Sequence, residues 1–282
     1  MAKQYDNPEA FKQALMMRLK NAATTRALSV QDMQIKFLIE RLLARLFAEP
    51  NQPWVLKGGF AMELRYRPKA RTTRDVDLTA ASSSDLAQIR ELLQEAAALD
   101  LGDHLEFRIG TARRELPGAP QGGARFQVET LLVGKVFGRF HVDVGIGDYI
   151  GGEPEVLVGE DLLGFAGVEP ARALAIPKAQ QFAEKLHAYT YAWDDRENTR
   201  VKDIVDLVLL IERGELDADE VAIAIRETFA RREAHPVPSE LADPPVSWAP
   251  EFPALAEQAG LSTQDLNAAF EVLAAYFTRL KL

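Results

Sequence analysis

Trp54-Val55-Leu56-Lys57-Gly58-Gly59-Phe60, with fifteen residues between Gly59 and Asp75-Val76-Asp77-Leu78-Thr79, is the stretch that decides how this chain is read. Trp54 to Leu56 reads as a short strand after Pro53, and Phe60 to Tyr66 as a short helix. Two glycines between a strand and a helix let the backbone come close to a phosphate, where the helix start offers N–H donors and its positive end. Asp75 to Thr79 reads as a second strand. Its alternation sets Val76 and Leu78 on one side and Asp75, Asp77 and Thr79 on the other. Two hard carboxylates on one face suit Mg2+, with Mn2+ as a substitute, because such ions take oxygen ligands and share their remaining positions with water and phosphate. An Asp-x-Asp alone is also a common exposed strand edge. The strand, glycine pair and helix in front of it give this one its weight.

Outward from this stretch, Asn7-Pro8 reads as a cap and first-turn proline for a helix to about Thr24, and Ser29 as the cap of a second helix using Ile35, Leu38, Ile39, Leu42, Leu43 and Leu46. Ser84 is expected to cap a helix through Leu93. Strands are expected at His104 to Thr111, Ala124 to Val133 and Gly138 to Val144. The character changes after about Val156. Helices are expected from Pro177 to Trp193, Val201 to Arg213 and Ala218 to Arg232, then a proline-rich connector from Pro236 to Pro253. A last helix follows, opened by Ser262 and Asp265 as a capping box. The expected architecture is α+β, with a domain over residues 1–160 followed by a helical domain over 161–282.

Further candidates lie along both halves. On the strand Phe140-His141-Val142-Asp143-Val144, Asp143 faces away from the apolar side and offers a third carboxylate for the metal set, ahead of Asp148 in its glycine- and aromatic-flanked loop. Arg65, Arg67, Lys69, Arg71 and Arg74 form a basic run before the aspartate pair. Arg71 and Arg74 are the members placed to bind a triphosphate or a nucleic-acid backbone, and the others serve equally as solvated surface charges. Arg108, Arg113, Arg114 and Arg125 form a second basic group suited to an RNA backbone. In the helical half, Lys185 sits off an apolar stripe, and Arg200-x-Lys202-Asp203-x-x-Asp206 puts two carboxylates on one helix face. Lys202 is in reach of Asp206, and Asp206 in reach of Lys185 or Arg200. An inter-helix salt bridge that only positions two helices fits the same residues. None of the four histidines has zinc-site spacing.

The net charge of −9 is unevenly spread. Residues through Val142 carry 21 Lys and Arg against 16 Asp and Glu, and the acid lies beyond. A nucleic-acid or nucleotide partner can therefore still meet a locally basic half. The absence of cysteine excludes disulfides, thiolate zinc sites and cysteine nucleophiles, and fits a reducing cytoplasm. Residues 1–8 show no signal-peptide pattern, and no run of about 20 apolar residues predicts a membrane span. There is no Walker A loop and no Gly-x-Ser-x-Gly elbow.

Leu56-Lys57-Gly58-Gly59-Phe60-Ala61 with Arg71-Thr72-Thr73-Arg74-Asp75-Val76-Asp77-Leu78, then Glu184-Lys185-Leu186-His187-Ala188, then Arg200-Val201-Lys202-Asp203-Ile204-Val205-Asp206-Leu207, resembles in order and spacing the motifs of the AbiEii-type nucleotidyltransferase toxins. The likeness is strongest to the mycobacterial-type members that act on tRNA, and it covers about Val55 to Ile211. It implies a DNA-polymerase-β-like nucleotidyltransferase domain with a mixed sheet, followed by helices. It implies transfer of a nucleotide from an NTP with Mg2+, to a tRNA 3′ end, so that aminoacylation is blocked. It also implies an AbiEi-type antitoxin as partner. By motif, Asp75 and Asp77 take the metal, Lys185 the triphosphate, and Asp206 is its companion. Lys57, Gly58, Gly59, Arg71, Thr73, Arg74, Arg200 and Asp203 line the nucleotide site. Gly59 stands where the wider superfamily has serine, which bears on the subtype. A phosphate on Thr73 would repel an incoming triphosphate. The alternatives are a nucleotidyltransferase acting on small molecules or on proteins, or a silent interaction module with the same fold.

Overall fold

A computed structural model describes residues 7–50, 52–68, 73–80, 86–116, 119–192 and 197–282, without the side chains of residues 113–115. The chain divides into two units. One comprises Met1–Pro68, Thr72–Gly147 and Glu155–Ala175, and the other Asp148–Pro154 with Ile176–Leu282. The boundary expected after residue 160 lies inside the first unit. Two short strands there continue its sheet.

In the first unit, α1 (Pro8–Thr25) begins where the Asn7 side chain accepts from the N–H groups of Glu9 and Ala10, and α2 (Val30–Leu46) where Ser29 accepts from Asp32. These caps satisfy donors that the helix itself cannot. β1 (Trp54–Lys57) runs straight into α3 (Gly58–Tyr66), then come β2 (Asp75–Ala80) and α4 (Leu86–Ala97). Ser84, expected to cap α4, lies outside the described residues. β3 (Leu105–Glu115), β4 (Gly123–Leu132) and β5 (Lys135–Ile146) form an antiparallel meander. The β4–β5 hairpin turns at Val133 and Gly134, both with positive φ, as tight hairpins require. β6 (Glu155–Val158) and β7 (Arg172–Ala175) were not expected.

The seven described strands form one mixed sheet in the order β3-β4-β5-β2-β1-β7-β6. The pairs β2·β5 and β1·β7 are parallel, and the others antiparallel. One apolar core holds the unit together. Val76 and Leu78 of β2 are fully buried in it with Phe60, Phe126 and Val142. Each such side chain contributes roughly 1.5–3 kcal/mol. A slip of one residue would expose both, so their burial fixes the face that Asp75 and Asp77 take. Beneath this core Asp103 is fully buried, with Arg45 at 2.6 Å and Arg41 at 2.8 Å. Burial pushes its carboxyl pKa up, but the two guanidinium groups outweigh that and hold it below the usual range.

The second unit is helical: α5 (Lys178–Thr190), α6 (Val201–Arg213), α7 (Ala218–Arg232), α8 (Phe252–Ala259) and α9 (Leu266–Arg279). α5 packs against α6 and α7, and α6 against α8 and α9. α5 ends before Trp193, because Tyr191 turns extended and the Thr190 hydroxyl donates back to the Leu186 carbonyl. The proline-rich connector contains a helical start: Pro253 occupies the first turn of α8, where a missing N–H costs nothing. Asp265 alone caps α9, and Ser262 instead donates to Glu212. Among the described residues no helix is long and apolar enough to cross a membrane.

Candidate active site

Strand register gathers the first set of predicted residues. Asp77 lies opposite Lys57 on β1 and opposite Asp143 on β5, and Asp143 lies opposite Arg125 on β4. Paired positions point the same way, so Lys57, Asp77, Asp143 and Arg125 form a row across four strands with two cations flanking two carboxylates. Asp75 stands two residues along β2, on the same face, with the His141 imidazole 3.9 Å from its carboxylate.

Gly58 has φ +67°, and a Cβ built on it would lie 1.9 Å from Asp77 Oδ2. The glycine thus serves twice: it takes the left-handed turn from β1 into α3, and it leaves the space that the Asp77 carboxylate fills. Gly59 is buried in the first turn of α3.

Asp143 gives both carboxylate oxygens to Arg125, at 2.7 Å each. Among the described residues no three or more Asp, Glu, His or Cys side chains stand together as a metal-holding group. Asp75 and Asp77, both half-buried, still fit a hard divalent cation of the Mg2+ type. Their oxygens share one face, they are open to solvent on one side, and the Gly58 backbone makes room for one of them.

The basic run is engaged by acids of its own unit. Arg65 pairs with Glu155 at 3.0 Å, Arg67 with Glu40, and Arg74 with Asp32 at 2.6 Å. Arg74 therefore points to α2. Lys69 and Arg71 lie outside the described residues. The Thr73 N–H donates to Glu63, and its side chain is half-exposed two residues before Asp75. Of the second basic group, Arg108 pairs with Glu106 on its own strand and Arg125 turns to Asp143, and the side chains of Arg113 and Arg114 lie outside the described residues.

The second unit gathers the remaining predicted residues around Lys185. Its ammonium lies 2.8 Å from Asp203 and 2.8 Å from Asp206. Arg200 closes on the other oxygen of Asp203. Asp203 is buried, which pushes its pKa up, but Lys185 and Arg200 outweigh this and leave it below the usual range. Lys202 is exposed, and the Asp206 contact foreseen for it is taken by Lys185. A Lys185 held between two carboxylates has its charge fixed in place, which suits a cation that orients a polyphosphate.

Of the neighbouring groups, Arg232 has no role in the sequence reading, while Asp148 is there the weaker candidate for the third carboxylate and Glu184 and His187 belong to a motif. Arg232 pairs with Asp148 at 2.9 Å and with Glu184 at 3.5 Å. His187 meets His235 at a tilt and Phe229 edge to face, with ring centroids at 4.5 and 4.8 Å. Burial, with the positive Arg232 nearby, pushes the His187 pKa down to about 3. Asp148 is thus a structural ion-pair partner, and only the spacing of the folded helices reveals it.

The arrangement invites comparison with known proteins. No curated protein matches the sequence significantly. Among solved structures, MenT4, a nucleotidyltransferase toxin from Mycobacterium tuberculosis H37Rv, superposes with a TM-score of 0.61 at 15% identity, covering 94% of this chain and 89% of that one. JHP933 from Helicobacter pylori is a more distant likeness, with a TM-score of 0.45, 15% identity and coverage of 90% and 93%. The first shares the fold of this chain. The sequence profile described as nucleotidyl transferase AbiEii toxin, type IV toxin–antitoxin system, matches residues 41–276, most of the length, and the chain belongs to that family.

Proposed function

We propose that the chain transfers a nucleotide from an NTP to the 3′-terminal hydroxyl of a tRNA, with Mg2+ held by Asp75 and Asp77, and that this blocks aminoacylation. The observation that carries the reading is the placement of Asp75 and Asp77 on one face of β2 against the glycine turn, with Asp143 on the next strand. The acceptor hydroxyl oxygen bonds to the α-phosphorus while the bond from that phosphorus to the bridging oxygen breaks. Pyrophosphate departs, and the hydroxyl proton passes to a carboxylate of this face. Mg2+, when bound, offsets the charge that builds on the phosphate oxygens and leaving group. The chain's own residues supply position and field. Asp75 and Asp77 hold the cation, and the α3 N-terminus and Lys57 face the same row. Lys185, fixed by Asp203 and Asp206, is assigned the triphosphate by its motif. The family carries a cognate antitoxin, and we assign an AbiEi-type protein as that partner.

The test is transfer of each of four labelled NTPs onto total tRNA, onto small hydroxylated acceptors and onto the protein itself. Label on tRNA that disappears in Asp75→Asn and Asp77→Asn is the expected result, with losses of about 10³-fold or more. Label on small molecules or on protein would replace the acceptor. Undiminished turnover in both variants would end the proposal.

A further inference from the structure

Two of the Arg–Asp clusters among the described residues of the first unit are opposite in character. Asp103 and Arg45 are sealed in the core, with both side chains 0% exposed. Arg125 and Asp143 lie on the carboxylate face, with side chains 33% and 13% exposed. Opening the first pair would strand charge in an apolar interior, a cost of several kcal/mol. The second pair is partly open to water, chiefly on the Arg125 side, so its opening leaves less charge unsolvated. Its position is also particular. Asp143 is the carboxylate one strand over from Asp77, and its two oxygens are the donors a cation at Asp75 and Asp77 would find nearest in register. Arg125 now takes both. Its guanidinium is stabilised first by the hydrogen bond to Asp143 and also by the charges of Asp143, Asp75 and Asp77, so it serves the whole acidic cluster.

We propose that Arg125 is a resident counter-cation that surrenders Asp143 when a divalent cation arrives. In the metal-free protein it neutralises a face on which two adjacent strands carry Asp75, Asp77 and Asp143. When the cation takes over that charge, Asp143 turns to it, and the freed guanidinium remains on the same face for the oxygens of the polyphosphate. Arg125 is then a positioning residue twice over, setting the metal affinity before the exchange and contributing to nucleotide affinity after it. The inference rests on the reading of Asp75 and Asp77 as the metal pair.

The experiment measures Mn2+ binding by calorimetry, without nucleotide, on the full chain and on Arg125→Gln, Arg125→Lys, Asp143→Asn and the Asp143→Asn/Arg125→Gln double variant. Arg125→Gln should bind Mn2+ about tenfold more tightly than the parent, because no internal cation competes for Asp143. Arg125→Lys, which keeps the charge without the two-pronged grip, should fall between them and guards against a glutamine variant that fails to fold. In the Asp143→Asn background the tightening should shrink to about twofold or less, since nothing remains to be released. The KM for NTP should rise in Arg125→Gln. Affinity equal to or weaker than the parent's in both Arg125 variants would overturn the exchange, and so would full tightening that persists without Asp143. Absence of Mn2+ binding in parent and variants alike would instead overturn the metal reading of Asp75 and Asp77.

Discussion

Gly58→Ala puts a methyl group where Asp77 already stands. The backbone there has φ +67°, which costs an L-residue about 1 kcal/mol. The new Cβ would sit 1.9 Å from Asp77 Oδ2 and 2.8 Å from Asp77 Cβ. Rotating the carboxylate relieves the first contact only. The second involves an atom fixed to β2, so strand or turn must also give way, and Oδ2 moves by about 1 Å. A displacement of that size at a catalytic group costs about 10²-fold in rate. Gly102→Ala is the matched control. Its φ is +69°, yet nothing lies within 4 Å of the added Cβ. Gly102→Ala should lose about 1 kcal/mol, or roughly 2–4 °C in Tm, and Gly58→Ala more, because its clash adds to the backbone cost. Only Gly58→Ala should lose labelled-NTP transfer, by about 10²-fold in kcat/KM. Equal activities in the two variants would refute the idea that Gly58 exists to seat Asp77.

Four further outcomes are expected. Asp203→Ala leaves Lys185 short of a buried partner and should cost about 3 kcal/mol in chemical denaturation. Because the Asp203 pKa is held below the unfolded value, its contribution is present above about pH 4 and lost as the pH falls further, so an Asp203→Asn protein should show a flatter acid limb. His187 has its pKa lowered to about 3 in the fold, so the unfolded chain binds the proton first. Stability should decline as the pH falls from about 6.5, and His187→Phe should remove about 1 kcal/mol of the difference between pH 7 and pH 5, read as the shift in Tm. Thr73→Glu adds a charge two residues from Asp75 and should lower NTP transfer about tenfold or more, whereas full activity would exclude control through this hydroxyl.

Local chemistry made much of this legible in the sequence. α6 and α7 fall at their expected ends because apolar spacing and a cap such as Asp217 are local signals. The faces of β2 and β5 follow from alternation, which is why Asp75, Asp77 and Asp143 come together. β6 and β7 were missed because each has only four residues, with half-exposed patterns that look like loop. Arg125 was read as part of a basic surface group, since its partner is set by the pairing of β4 with β5 and not by any neighbour in sequence. The same holds for Arg74, which Asp32 draws from 42 positions away. Tertiary proximity decides these choices, because each of these partly or largely exposed arginines lies next to a carboxylate that the fold brings to it.

The parallel pairing of β2 with β5 has a consequence for the timing of synthesis. β1 and β2 leave the ribosome together, but β2 gains its second neighbour only when β5 has followed, after the whole β3–β4 segment. Until then Asp75 and Asp77 lie on a bare sheet margin, with Asp143 not yet made. A nascent or prematurely terminated chain therefore carries the aspartate motif without the assembled face. In the proposed reading, incomplete translation products of such a toxin would lack the assembled carboxylate face.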